Sequence, residues 1–126
     1  MRVFKTRWFA RFAKREDISD DRLVDAIARA ERGLIDANLG GGLIKQRVAR
    51  PSKGKSGGYR TLMAYRSGQR AVYLFGFAKS ERDNIGSAHA SELRAAAHEV
   101  LALSPGEIAA QLVAQTIVEV PYGKKD

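Results

Sequence analysis

Lys45 and Arg47 stand two residues apart, Arg60 follows Gly58 and Tyr59, and Lys79 and Arg82 flank Ser80 and Glu81. Lysine and arginine clustered in this way can bind a phosphate or a phosphodiester. Two cations on alternate positions of a strand project from the same face. They repel each other in water and are drawn together when a phosphate lies between them. The spacing of Lys45 and Arg47 alone fits an exposed strand with solvated charges equally well. Arg60 adds a planar fork suited to bidentate phosphate binding.

Lys53-Gly54-Lys55-Ser56-Gly57-Gly58 forms a Gly-rich basic run. It lacks the glycine and lysine spacing of a phosphate-binding P-loop, and strands rather than a strand and a helix flank it. It reads as a cationic loop able to close over a phosphodiester backbone, or as a plain connection between strands. Arg50, Lys53 and Lys55 are therefore expected to bind a nucleic-acid backbone. Tyr65 and Tyr73 are expected to join them, because aromatic rings can stack on bases. Phe75 and Phe77 are expected in the core, which a sheet strand needs to fill. His89 and His98 are the only histidines and lie outside the basic segment. A structural role suits them better than catalysis. No His, Asp or Glu spacing points to a metal, and no cofactor is expected.

The charge is segregated. Residues 38 to 80 contain nine Lys or Arg and no acid, whereas the whole chain has 22 basic and 14 acidic residues. The formal charge of +8 is thus a property of the middle third. A surface serving solubility alone would mix the signs. A one-signed segment is the footprint of a polyanion binder, most often nucleic acid. The length of 126 residues suits a single domain spanning 1–126, and the absence of cysteine excludes disulfides and thiolate metal sites. The start lacks the apolar region of a signal peptide, and no apolar run is long enough for a membrane helix, so a cytoplasmic protein is expected.

These residues need elements to hold them. Arg2 to Lys5 suits a short strand, and Thr6 can cap a helix with Trp8, Phe9 and Phe12 as its apolar positions. Ser19 caps a second helix, in which Leu23, Ala26, Ile27, Ala30 and Leu34 repeat at helical spacing up to Asn38 and the Gly40–Gly42 run. Leu43 to Ala49 alternates, with Ile44 and Val48 on one face and Lys45 and Arg47 on the other. Tyr59 to Arg66 and Arg70 to Ala78 read as a hairpin. Leu93 to Leu101 returns to helical spacing, and Ser104-Pro105-Gly106-Glu107 is a capping box for a last helix ending near Ala114. Thr116 to Val120 is a final strand or a tail. The expected fold is α+β: a strand and two helices, a three-stranded antiparallel meander, then helices. The helices are expected to cover one sheet face and the cations to line a shallow groove on the other.

Gly58-Tyr59-Arg60 at the start of a strand, with Gly76-Phe77-Ala78-Lys79-Ser80-Glu81-Arg82-Asp83-Asn84-Ile85 after the meander, resembles the RelE/ParE superfamily of toxins. The run from Leu39 to Arg60 is similar to its HigB-like branch. The resemblance covers nearly the whole chain. It implies a RelE-like fold and the toxin of a type II toxin–antitoxin pair. It also implies a metal-independent endoribonuclease that cuts mRNA on the ribosome by 2′-hydroxyl attack. An antitoxin encoded by an adjacent gene would restrain it. Lys45, Arg47, Arg60, Lys79 and Arg82 match cations of the RelE-type site and are implied as catalytic. The chain has Ser80 where RelE has an arginine and about Gly86 where RelE has a catalytic tyrosine. The alternatives are a ParE-type toxin that blocks a topoisomerase without cutting RNA, and a basic nucleic-acid-binding module.

If Lys53 and Lys55 serve affinity, replacing both by alanine weakens RNA binding and flattens its salt dependence by roughly 0.7 per lost single-strand contact. Titrations at several salt concentrations measure that slope. An unchanged slope with lost turnover would place both lysines in the chemical step instead.

Overall fold

In a computed structural model, residues 1–49, 58–82 and 84–123 are described. The chain runs β1 (Arg2–Thr6), α1 (Arg7–Arg15), α2 (Asp20–Glu31), β2 (Ala37–Gly40), β3 (Leu43–Val48), β4 (Tyr59–Arg66), β5 (Arg70–Ala78), α3 (Ser87–Ala102), α4 (Pro105–Ala114) and β6 (Ile117–Val120). One six-stranded sheet has the order β2-β3-β4-β5-β1-β6. The expected meander is β3-β4-β5, and β1 lies parallel to β5 and antiparallel to β6. The α+β class follows the sequence reading, and so does the element order apart from β2.

Local chemistry sets the helix ends. The Thr6 hydroxyl accepts from the Phe9 N–H, and the Ser19 hydroxyl accepts from the Arg22 N–H. Ser104 and Glu107 form a complete capping box. The second helix stops earlier than its apolar repeat suggests. Gly33 takes φ +86°, its N–H donates to Ala30 O, and Leu34 N–H donates to Arg29 O. These two bonds are a Schellman closure, which needs a residue tolerant of left-handed backbone. Leu34 consequently lies outside the helix and is exposed, and the next residues form β2, an edge strand that the periodicity hid.

Helices cover both faces of the sheet, not one. On the first face α1 and α2 pack Phe9, Phe12, Leu23 and Ile27 against Ile44, Val48, Met63 and Tyr73. On the second, α3 and α4 pack Leu93, Ala97, Leu101 and Ile108 against Phe4, Leu43, Leu62 and Phe77. A sheet with β1 inserted beside β5 is apolar on both sides and needs cover on both. Gly76 marks how close α1 comes. A Cβ there would stand 2.7 Å from Phe12 Cε2.

Arg66 and Arg70, two of the nine central cations, are structural. Arg66 donates to Leu101 O at 3.0 Å, and Arg70 donates to Val100 O at 3.0 Å and Leu103 O at 2.9 Å. Positive charge at the carboxyl end of α3 complements its dipole and satisfies carbonyls with no partner in the helix.

At the hairpin turn the Glu31 carboxylate accepts from the Tyr65 hydroxyl, from Ser67 Oγ at 3.3 Å and from Gly68 N–H at 3.2 Å. The Tyr65 bond, more than the others, holds the Glu31 carboxyl below its ordinary value of 4.5. A depressed carboxyl contributes stability that is full above its ordinary value and is lost as pH falls through the folded one. Glu31→Gln should therefore lower stability near neutrality by about 0.5–1 kcal/mol, since solvent screens much of the interaction. The loss should shrink below about pH 4.5. Urea unfolding across that range checks the sign. A loss that grows toward acid would reject it.

Candidate functional site

Strand alternation puts Lys45 and Arg47 on the second face with Leu43, because Ile44 and Val48 pack into the first. A buried amide fixes that register. Gln46 is fully buried between them in sequence, and its Nε2 donates to Ala26 O and Leu34 O, both at 3.0 Å. Its Oε1 accepts from Asp36 N–H at 3.1 Å, and its backbone carbonyl accepts from the Thr61 hydroxyl at 2.7 Å. The next residue is tied as well. Arg29 Nη2 donates to Arg47 O at 2.6 Å, and an Asp36 carboxylate oxygen accepts from Arg47 N–H. The Arg47 side chain is left on the exposed side.

Across the sheet, Arg47 pairs with Arg60 and Arg60 with Phe77, while Lys45 pairs with Leu62 and Leu62 with Phe75. Directly opposed residues hold their Cβ atoms about 5 Å apart. Two parallel rows result, one of Arg47, Arg60 and Phe77, the other of Lys45, Leu62 and Phe75. Arg82 folds back over the aromatic end, its guanidinium carbon 5.4 Å from the Phe77 ring centre and 5.8 Å from that of Phe75. Lys79 is exposed just beyond β5, and its N–H donates to Gly58 O at 3.0 Å, which ties the end of β5 to the start of β4. The predicted cations at 45, 47, 60 and 82 thus share the second face, and Lys79 follows directly after β5.

Among the described residues, no carboxylate pairs with Lys45, Arg47, Lys79 or Arg82. Like charges opposed as Arg47 and Arg60 are destabilise a bare sheet and suit an anion placed between them. No cluster of His, Cys, Asp or Glu among the described residues could hold a metal ion.

Tyr65 and Tyr73 do not join this site, contrary to the expectation that they stack on RNA. Both lie with the first-face core. Tyr73 is fully buried, its hydroxyl donates to Leu23 O at 2.8 Å, and burial pushes its ionisation far above the ordinary tyrosine value. Tyr65 is engaged by Glu31. The regular spacing of 73, 75 and 77 misled because β5 holds a bulge. Leu62 pairs with Phe75 but Met63 pairs with Tyr73, leaving Leu74 as the extra residue. One extra residue reverses which side chains share a face. Arg50, Lys53 and Lys55 lie outside the described residues.

The sequence reading missed Trp8 and His89. The Trp8 ring stacks on Phe75 at 4.7 Å, and the His89 ring stands edge-on to Phe75 at 4.5 Å. Trp8 is 43% exposed, although helical spacing had marked it as a core position. Phe75 is thus a shared base plate for Trp8, His89 and Arg82. No local signal announces this, because it depends on the bulge and on the start of α3.

The chain matches the family described as the RelE toxin of the RelE / RelB toxin–antitoxin system over residues 1–120. It belongs to the RelE toxin family. Membership implies a cognate antitoxin as partner. No curated protein matches the chain. No helix among the described residues of this RelE-family protein is long and apolar enough to cross a membrane.

Gln46→Leu keeps side-chain volume but removes the amide that Asp36, Ala26 and Leu34 share. Unfolding in urea should show a loss of about 2 kcal/mol or more, as expected for several buried groups left without partners. Wild-type stability in that variant would mean that the register of β3 is held by something else.

Proposed function

We propose that this RelE-family toxin, of the HigB-like branch, is a ribosome-dependent endoribonuclease that cuts mRNA without a metal. The observation that carries the reading is the two-row arrangement of Lys45, Arg47 and Arg60, closed by Lys79 and Arg82, with no carboxylate paired to four of them among the described residues. RNA brings its own nucleophile. The 2′-hydroxyl oxygen attacks the adjacent phosphorus, the bond to the 5′ oxygen breaks, and that oxygen leaves with a proton. The protein must align the three atoms and stabilise the crowded negative phosphorane. Arg60, at the centre of its row, is positioned to grip the phosphate oxygens with Arg47. Lys45 and Lys79 flank it as further charge stabilisers or as a base. Arg82, stacked on Phe77 and Phe75, is held less freely than a solvated arginine and suits the departing side.

Such a site offers charge stabilisation but little that would align a free RNA. That fits an enzyme whose substrate is presented by the ribosome. A ParE-type inhibitor of a topoisomerase would have no need of converging phosphate ligands.

Mapping RNA 5′ ends after brief induction tests the reading. New cuts should lie within translated frames. Arg60→Ala should remove them and the growth arrest while the protein stays folded, since losing one charge stabiliser costs about 10²–10³ in rate. Growth arrest with no new cuts, or full toxicity in folded Arg60→Ala, would overturn it.

A further inference from the structure

Tyr65 and Tyr73 are taken up by the first-face core, so the two rings expected to meet bases do not. One large ring does stand open beside the cations. Trp8 is 43% exposed, whereas Phe9 and Phe12 on the same helix are buried. Strand lengths explain it. β1 pairs with β5 only as far as Lys5 opposite Tyr73, and β5 runs on to Ala78. Past that point β5 has no β1 beside it. The chain turns into α1 there, and the first turn of the helix brings Trp8 onto Phe75.

The ring is fixed by two others. It stacks on Phe75 at 4.7 Å and 27°, and lies near-parallel to Phe12 at 5.5 Å and 13°. A ring held in this way gives up little freedom when a further flat group is laid on it. Its place relative to the cations is equally well defined. Phe75 ends the row that begins at Lys45, and Phe77 ends the row of Arg47 and Arg60. The two phenylalanine ring centres are 6.3 Å apart, and the Arg82 guanidinium lies over both. From Arg60 to Trp8 the order is therefore cation, Arg82, exposed ring. α1 carries no acid, and its Arg11 is exposed one turn beyond Trp8.

We propose that Trp8 is a base-stacking residue. With a phosphate at Arg47 and Arg60, the base of an adjoining nucleotide lies on the exposed surface of the Trp8 ring, and Arg82 meets the phosphate between them. Cations alternating with an exposed aromatic ring are the arrangement that follows a single strand, phosphate by phosphate and base by base. Stacking accepts any base but gains with ring area, so a purine is preferred. An acidic protein segment would use the cations and has no requirement for the ring. The inference rests on the RNA-cleaving reading for its ligand, and adds to it a residue that selects the base beside the cut.

Trp8 is the only tryptophan in the chain, so tryptophan fluorescence reports on this position alone. The probes are an oligoadenylate and an oligouridylate made uncleavable by 2′-O-methylation, and an abasic oligomer of equal length and charge. Oligoadenylate should quench Trp8 emission strongly, oligouridylate less, and the abasic oligomer not at all. Trp8→Leu, its fold checked by circular dichroism, should bind labelled oligoadenylate about tenfold more weakly and the abasic oligomer as before. Trp8→Phe should restore most of the difference. In cells, Trp8→Leu should loosen the base preference beside the cuts. Equal quenching by the abasic oligomer, which needs no variant to measure, would overturn the proposal. So would unchanged oligoadenylate affinity in folded Trp8→Leu. Base-dependent quenching by a protein that makes no cuts would support the stacking and remove the nuclease reading, so the two fail separately.

Discussion

The cation face exists because a side-chain amide is buried next to it. Gln46 sits where a sheet facing a helix would ordinarily hold an aliphatic residue, and it reaches two carbonyls and one N–H beyond its own strand. An aliphatic side chain would tolerate a slip of β3. A fully bonded amide does not, since a slip by one residue would strand every polar group at once. The register then decides where charge goes. With Gln46 inward, Lys45 and Arg47 must turn to the opposite face, and Arg47 must oppose Arg60. The site is a consequence of a bond pattern on the far side of the sheet.

The features legible in the sequence were those set within a few residues. Caps at Thr6, Ser19 and Ser104, the hairpin around Gly68 and the strands on either side of it depend on local hydrogen bonds and alternation, and they appear where the sequence puts them. What failed depends on pairing between distant segments. The alternation of Tyr73, Phe75 and Phe77 is real, yet the bulge at Leu74 exists only when β4 and β5 are aligned. The expectation that helices cover one face assumed a sheet of three strands in sequence order. With β1 between β5 and β6, the apolar residues of β1 point both ways, Val3 to one core and Phe4 to the other. Of the candidate cations, those at 45, 47, 60 and 82 share the face. Arg66 and Arg70 were legible as charge but not as helix caps, because α3 had first to be laid across the hairpin.

Charge and aromatic packing divide the second face. Near the hairpin, α3 covers it and its carboxyl end is gripped by Arg66 and Arg70. Near the other end the cover changes to Arg82 over two rings, with Trp8 and His89 around Phe75. The basic surface is therefore backed by ring contacts, and Phe75 links α1, β5, the segment after β5 and α3. A change at this phenylalanine would be felt in four parts of the chain.

The placement of β1 also bears on when the protein becomes active. Val3 lies against both Ala71 and Val120, so the sheet is closed by contacts that span nearly the whole sequence. Such distant contacts form slowly and cannot form until the later segment has been synthesised. The strand order acts as a timer on maturation. β6 is made well after the strands that carry the cation rows, and the ribosome making the chain has moved past residue 120 before the sheet can close.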